Sequence, residues 1–398
     1  MLKGRGLKSK AKKILVTLLK TAIPPGVVYN TPRRKENFKT LLEKKQSWGN
    51  LQLLFPESTR TEELPEIYNY RVTQRFARYQ SRVIPAAYIV QLPGGKVYGK
   101  ETNLILSATN ILSEDLSREF GAYGGKKIAE SPLLTQQLRY GKTKHLKGKA
   151  AVITTKGSRN FHHWNYDCIP RIHLLKEAGL FNTIDFFILA HDNLPFQLEA
   201  LRLLGISMEK IINPAGTDLL IVADVLYVPS LPSVLGTVSP WVINFLRKLY
   251  NPANLHSQGY ERIYISRKNV QSRHIINNAA FLATLKSFGV REVFPEDYTV
   301  SEFAQIISGA HIIISVHGSG LSNTCFLNKE TVVIDILAPY HQDAYYWLIS
   351  NICGARYIGF FGDGSHPPDD LDLVKNKIDD DIFIDMAKLE QLLTRELN

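Results

Sequence analysis

Four groups of residues have types and spacings suited to chemistry. The first is His317-Gly318-Ser319-Gly320-Leu321-Ser322-Asn323, which follows the apolar run 311–316. Glycine lets a backbone turn tightly and approach a ligand closely. A helix opening there would present free amides and a partial positive charge, which suit a phosphate. His317, at the strand end, could bond a phosphate or a sugar oxygen. The segment is neither a Walker loop nor a G-x-G-x-x-G fingerprint, and a plain strand-to-helix turn is the blander reading. The second group is Ile265-Ser266-Arg267-Lys268, with Arg273 close behind. An arginine grips a diphosphate in two places and a lysine adds a point charge. Solvated surface cations are the alternative.

The third group runs from Asn160 through Phe161, His162, His163, Trp164, Asn165, Tyr166 and Asp167 to Arg171. On a helix, His163 and Asp167 share a face, and Arg171 extends the row. Such a row offers a general base near neutral pH, an orienting carboxylate and a guanidinium for a substrate. Pro170 kinks a helix at this point. Adjacent histidines face different ways, so His162, His163 and Asp167 make a weak metal set and no metal ligand is assigned. His163 and Trp164 serve equally well as packing residues. The fourth group is Asp335, in an apolar run at 331–337, with His341 and Asp343 after Pro339. Asp335 could hold ribose hydroxyls or pair with a cation at a strand end.

The elements that must position these groups alternate. Residues 150–155, 185–190, 210–212 and 222–228 read as strands, and 161–178, 194–204 and 240–250 as helices. A second alternation has strands at 262–266, 291–294, 311–316 and 331–337 and helices at 277–288, 301–308 and from 321. Thr299 or Ser301 is placed to cap the helix at 301–308. Continuous apolar runs suit buried parallel strands. The order argues an α/β fold with doubly wound sheets, and ligands in such sheets bind beyond the carboxyl ends of the strands. Residues 86–108 read as β-hairpins, 110–120 as a short helical stretch, 251–259 as a linker and 386–397 as an amphipathic helix.

Residues 160–171, 262–268 through Asn277, and 316–323 with Phe326 together resemble glycosyltransferase family 61, whose bacterial members are labelled capsular polysaccharide biosynthesis proteins. The similarity runs from about residue 80 to the end of the chain. It implies two Rossmann-like domains facing a cleft, the glycosyltransferase B type, and inverting transfer from a nucleotide sugar, most often a UDP-sugar, to a glycan or polysaccharide hydroxyl. In that picture Arg267, Lys268, Arg273, His317, Gly318, Ser319, Gly320, Leu321, Ser322, Asn323 and Asp335 face the donor. Asn160, His162, Trp164 and Arg171 face the acceptor, and His163 or Asp167 is the base. No cofactor is required, and dependence on a divalent metal stays open. A nucleotide-sugar epimerase of the same fold and a non-catalytic nucleotide-sugar binder are the alternatives. Family members commonly carry Ala where Ser319 stands and an Asn-Glu pair where Asn277-Asn278 stands.

The expected division is residues 1–80 as a basic leader and irregular segment, 81–255 as an acceptor-side α/β domain with hairpins, 256–360 as the nucleotide-sugar domain, and 361–398 as an acidic loop and final helix. Charge supports this. The chain has 398 residues and a net charge of +11, and residues 1–45 hold thirteen Lys or Arg against two acids, which is the whole excess. A neutral body argues against a nucleic-acid partner. Three scattered cysteines with no CxxC pair give no zinc or disulfide framework and suit a reducing compartment. The apolar run 14–19 is too short to span a bilayer, which takes about 20 residues. Residues 1–24 read either as a basic amphipathic helix on an anionic membrane surface or as a frayed, solvated tail, and the expected location is the cytoplasm, with the helix reading making the protein peripheral at the inner membrane face.

Overall fold

A computed structural model describes residues 11–19, 31–32, 35–45, 48–99, 104–117, 137–155, 157–232, 236–250, 261–267, 272–366 and 379–397. Lys268, the expected linker at 251–259 and most of the acidic stretch lie outside these residues. The chain forms two compact units. The first takes residues 1–56, 86–197 and 205–231; the second takes 57–85, 198–204 and 232–398.

In the first unit, described strands build a ten-stranded mixed sheet. Its parallel part holds, side by side, Leu219–Pro229, Lys142–Val152, Phe186–Ile188 and Ile211–Ile212. Numbered along the chain, these four lie in the order 4-1-2-3. The order reverses beside Lys142–Val152, a switch point where side chains from the following loops converge. Hairpin strands continue the sheet in antiparallel fashion, Ala87–Pro93 and Lys96–Tyr98 both pairing with Leu219–Pro229. Val90, Leu92, Val152, Ile188, Leu226 and Val228 form the core beneath it. The stretch after residue 110 is a strand, Leu112–Ser113, rather than a helix, and it pairs with Leu104–Leu106 and with Lys35–Glu36. Ladder bonds to two neighbours outweigh a weak helical spacing.

In the second unit six strands are parallel throughout: Arg291–Val293, Arg262–Ile265, Ile312–Val316, Val332–Leu337, Arg356–Phe361 and Glu66–Ile67. The five later strands follow the order 2-1-3-4-5, with the reversal between Arg262–Ile265 and Ile312–Val316. Their apolar runs are buried, Ile312–Val316 at every position. The Val300–Gly309 helix starts with a capping box: Thr299 accepts from the Glu302 amide and Glu302 accepts from the Thr299 amide. The Met386–Leu397 helix buries Leu389, Leu392 and Leu393, spaced to share one face, against Phe281 and Leu285. Each such side chain contributes about 1.5–3 kcal/mol. Elements here with no counterpart in the sequence pattern include the Tyr345–Cys353 helix and the Arg356–Phe361 and Glu66–Ile67 strands.

Candidate active site

The switch point of the second unit gathers the first two groups of residues. Arg267 leaves the end of Arg262–Ile265, and Gly318 leaves the end of the neighbouring Ile312–Val316. A Cβ on Gly318 would stand 3.4 Å from the Arg267 Cζ, and one on Gly320 would stand 3.1 Å from Ile265 Cγ2. Gly318 has φ 167°, ordinary extended backbone. Its role is close approach to a guanidinium, not the tight left-handed turn. Arg267 Nη1 is buried with no hydrogen-bond partner among the described residues. Burial, and then the neighbouring Arg273, push its pKa down to about 10, so it stays charged at neutral pH. A buried, unsatisfied N–H on a charged group carries a desolvation cost that an anion would remove.

Ser319–Phe326 is a 3-10 helix, where an α-helix is expected. Leu321, Ser322 and Asn323 are buried. The Asn323 side chain donates to the Gly320 carbonyl at 2.9 Å, and Ser322 bonds Tyr346. These side chains hold the loop, and after buried Gly318 the exposed Ser319 and half-exposed Gly320 are the part that offers backbone outward.

Behind the loop lies a polar network. The His317 and Asp335 side chains meet at 2.8 Å, Nδ1 to Oδ2, and Tyr357 donates to the same oxygen at 2.8 Å. Asp335 is fully buried. Its bonded oxygen faces His317 and Tyr357, so it orients the His317 ring from a position closed to solvent. Arg273 donates to the His317 carbonyl at 2.5 Å, and its Nη1 stands 3.5 Å from His341 Nδ1. The rings of His341 and Tyr346 lie 4.5 and 4.7 Å from that of His317. His317, His341 and Asp343 each offer a ligand atom within 4.8 Å of the others. Burial raises the Asp343 pKa, but the charges of His317 and His341 and an amide bond from Tyr345 outweigh it and hold the carboxyl below its ordinary value.

The first unit carries the third group at the end of Lys142–Val152. Asn160 caps the segment, accepting from the amides of His162 and His163. Phe161–His163 is α-helical, Trp164–Cys168 is a π-turn, and Pro170–Glu177 resumes the α-helix. Proline has no N–H and its ring crowds the carbonyl four residues back, so the ladder shifts to the wider spacing just before Pro170, with the Ile169 amide bonding the Trp164 carbonyl. His163 Nδ1 lies 2.7 Å from Asp167 Oδ2. Burial lowers the His163 pKa, but the hydrogen bond and charge of Asp167 together raise it above the ordinary value. Gly157, at φ 96°, presses on this ring: a Cβ there would stand 2.7 Å from His163 Cδ2.

Three residues assigned to the acceptor have other work. Arg171 is buried, and its guanidinium donates to the carbonyls of Ile153, Thr154 and Pro229 at 2.7–3.1 Å. It ties together the ends of the two strands flanking the switch point. Trp164 is fully buried in the core and Asn160 is spent on the cap. His162 is half-buried and stacks on Tyr166, ring centroids 4.7 Å apart.

Residues 161–334 match the family model described as Glycosyltransferase 61. These residues are a glycosyltransferase 61 domain. The chain is also 29% identical over 106 residues to a protein of Oryza sativa subsp. japonica described as a beta-1,2-xylosyltransferase, XAX1. That match covers 25% of this chain and 18% of the rice protein. The glycosyltransferase 61 domain takes in His163, Asp167, Arg267, Arg273 and the 317–323 loop. It stops one residue short of Asp335, so His341, Asp343, Tyr346 and Tyr357 lie beyond it. Gly157 beside His163, and Tyr346 and Tyr357 around His317, carry no motif that marks them as functional. Gly157 follows a predicted strand, which is a detectable signal; the two tyrosines reach the site through a helix and a strand that the sequence reading did not find.

Proposed function

We propose that this protein is an inverting glycosyltransferase. It moves a sugar from a nucleotide sugar, a UDP-sugar first, to a hydroxyl of a glycan or polysaccharide acceptor. The observation that carries the reading is Arg267. It is a charged group with a buried, unpartnered N–H, lying against a bare glycine backbone at the switch point of a parallel sheet, inside a glycosyltransferase 61 domain. A diphosphate supplies the anion such a place lacks. The acceptor oxygen attacks the anomeric carbon opposite the diphosphate. The carbon–oxygen bond to the diphosphate breaks and its electron pair leaves with the phosphate. The hydroxyl proton passes to the His163–Asp167 dyad, which is the general base of this reading. One displacement gives inversion. Arg267, Arg273 and the Gly318–Gly320 amides stabilise the departing charge. Two Rossmann-like domains of the B type belong to the same proposal, as do peripheral contact with a membrane at its cytoplasmic face and the absence of a nucleic-acid partner.

The rice relative is described as a xylosyltransferase, so a UDP-pentose belongs in the first donor panel beside UDP-hexoses. A donor at a hundred times its Kd stabilises the fold by about 2.7 kcal/mol. A thermal-shift panel of nucleotide sugars should therefore single out one donor. Arg267→Ala should remove the shift and slow transfer by about 10²–10³-fold. Conversion of the donor without any acceptor, followed by NMR, would point to an epimerase. A folded Arg267→Ala protein with normal turnover would overturn the donor assignment.

A further inference from the structure

We propose that His317, His341 and Asp343 form a binding site for one divalent transition-metal cation. Their ligand atoms already lie within 4.8 Å of one another. With bonds of about 2.0–2.2 Å, two ligands on one ion stand at most about 4.4 Å apart, so a small inward movement lets all three bind one ion. Two imidazoles and a carboxylate are a borderline nitrogen and oxygen set that suits zinc, cobalt or manganese and leaves further positions open.

The surroundings are those of a held ligand. His317 Nδ1 donates to Asp335, which leaves the lone pair on Nε2, and Tyr357 fixes Asp335 in turn. A carboxylate behind a histidine is the usual outer support of a metal-binding imidazole. Asp343 uses Oδ1 to accept from the Tyr345 amide at 2.8 Å, which fixes its side chain. His317 and His341 are nearly buried and cannot drift in solvent. Arg267 and Arg273 oppose a bare cation. The ion therefore binds more tightly once an anion neutralises them, and by linkage it tightens that anion in return. The site does not depend on the donor reading, because cation uptake is measured with no nucleotide sugar present.

The test is cobalt and zinc uptake by the metal-free full chain, by elemental analysis after gel filtration and by the Co²⁺ visible spectrum. One equivalent of Co²⁺ with a nitrogen-ligand spectrum is expected. His341→Ala and Asp343→Asn should lose it, and Asp335→Asn should weaken binding about 10–100-fold. Pyrophosphate should raise Co²⁺ affinity. If a variant fails to fold, the wild-type spectrum still decides. No uptake by the wild-type chain, or unchanged uptake by folded His341→Ala and Asp343→Asn, would overturn the site and leave a hydrogen-bonded His–His–Asp network.

Discussion

His163 and Asp167 show how a single contact sets a titration. The contact raises the histidine pKa in the folded state, against the effect of burial. As a general base His163 must be neutral, so the acid limb of kcat/KM should lie above the ordinary histidine value of about 6.5. Asp167→Asn removes the charge, and the limb should move to lower pH while the maximal rate falls. The stability effect has the opposite pH sense. A folded pKa above the unfolded one stabilises at pH below the unfolded value, and the gain is lost as pH rises through the folded value. Denaturant melts of wild type and Asp167→Asn should therefore differ most below about pH 6.5 and converge at higher pH. Equal limbs in the two proteins would rule out the pairing as the cause.

At the scale of elements, the switch from α to π and back around Trp164–Cys168 keeps His163 and Asp167 in reach of each other ahead of Pro170. Its loop depends on Gly157. Its φ of 96° is a region side chains rarely adopt, and a Cβ would collide with the His163 ring. Gly157→Ala should cost about 1–2 kcal/mol from the backbone alone. It should also lower kcat more than KM, because the ring is displaced while the rest of the fold survives. Unchanged kcat in a folded Gly157→Ala protein would show that the ring position does not matter. In the same unit, Arg171 plays no comparable chemical part: its bonds to three carbonyls make it a rivet between strand ends.

The charge of the whole molecule is concentrated in its first 45 residues. Residues 11–19 are helical, with Ile14, Leu15 and Leu18 each at least 58% exposed beside Lys12 and Lys13. Val16 on the same helix is buried. No helix among the described residues is long and apolar enough to cross a membrane. Apolar exposure beside lysines suits insertion into the headgroup layer of an anionic bilayer. Sedimentation with vesicles of anionic lipid should pull down the full chain and weaken with salt. Replacing Ile14, Leu15 and Leu18 by Ser should abolish it without changing turnover in solution. Equal sedimentation of that variant would overturn the membrane contact.

The amino-acid sequence by itself determined the parallel-strand rhythm of the second unit, because buried strands must be apolar at both faces and helices between them must start at caps such as Thr299. It also determined the pairing of His163 with Asp167, a contact four residues long. Local spacing settles such features. The tertiary structure alone decided the roles of Asp335, Arg171 and Trp164, which look reactive in sequence and are buried. It alone placed Arg267 against Gly318, about fifty residues apart in the chain. It alone brought His341, Asp343 and Tyr357 toward His317, and drew Glu66–Ile67 into a sheet whose other strands begin at Arg262. The physical reason is the same in each case. Whether a polar group is buried, and what it then bonds, depends on strand order and on segments far away in the chain, which no local pattern encodes.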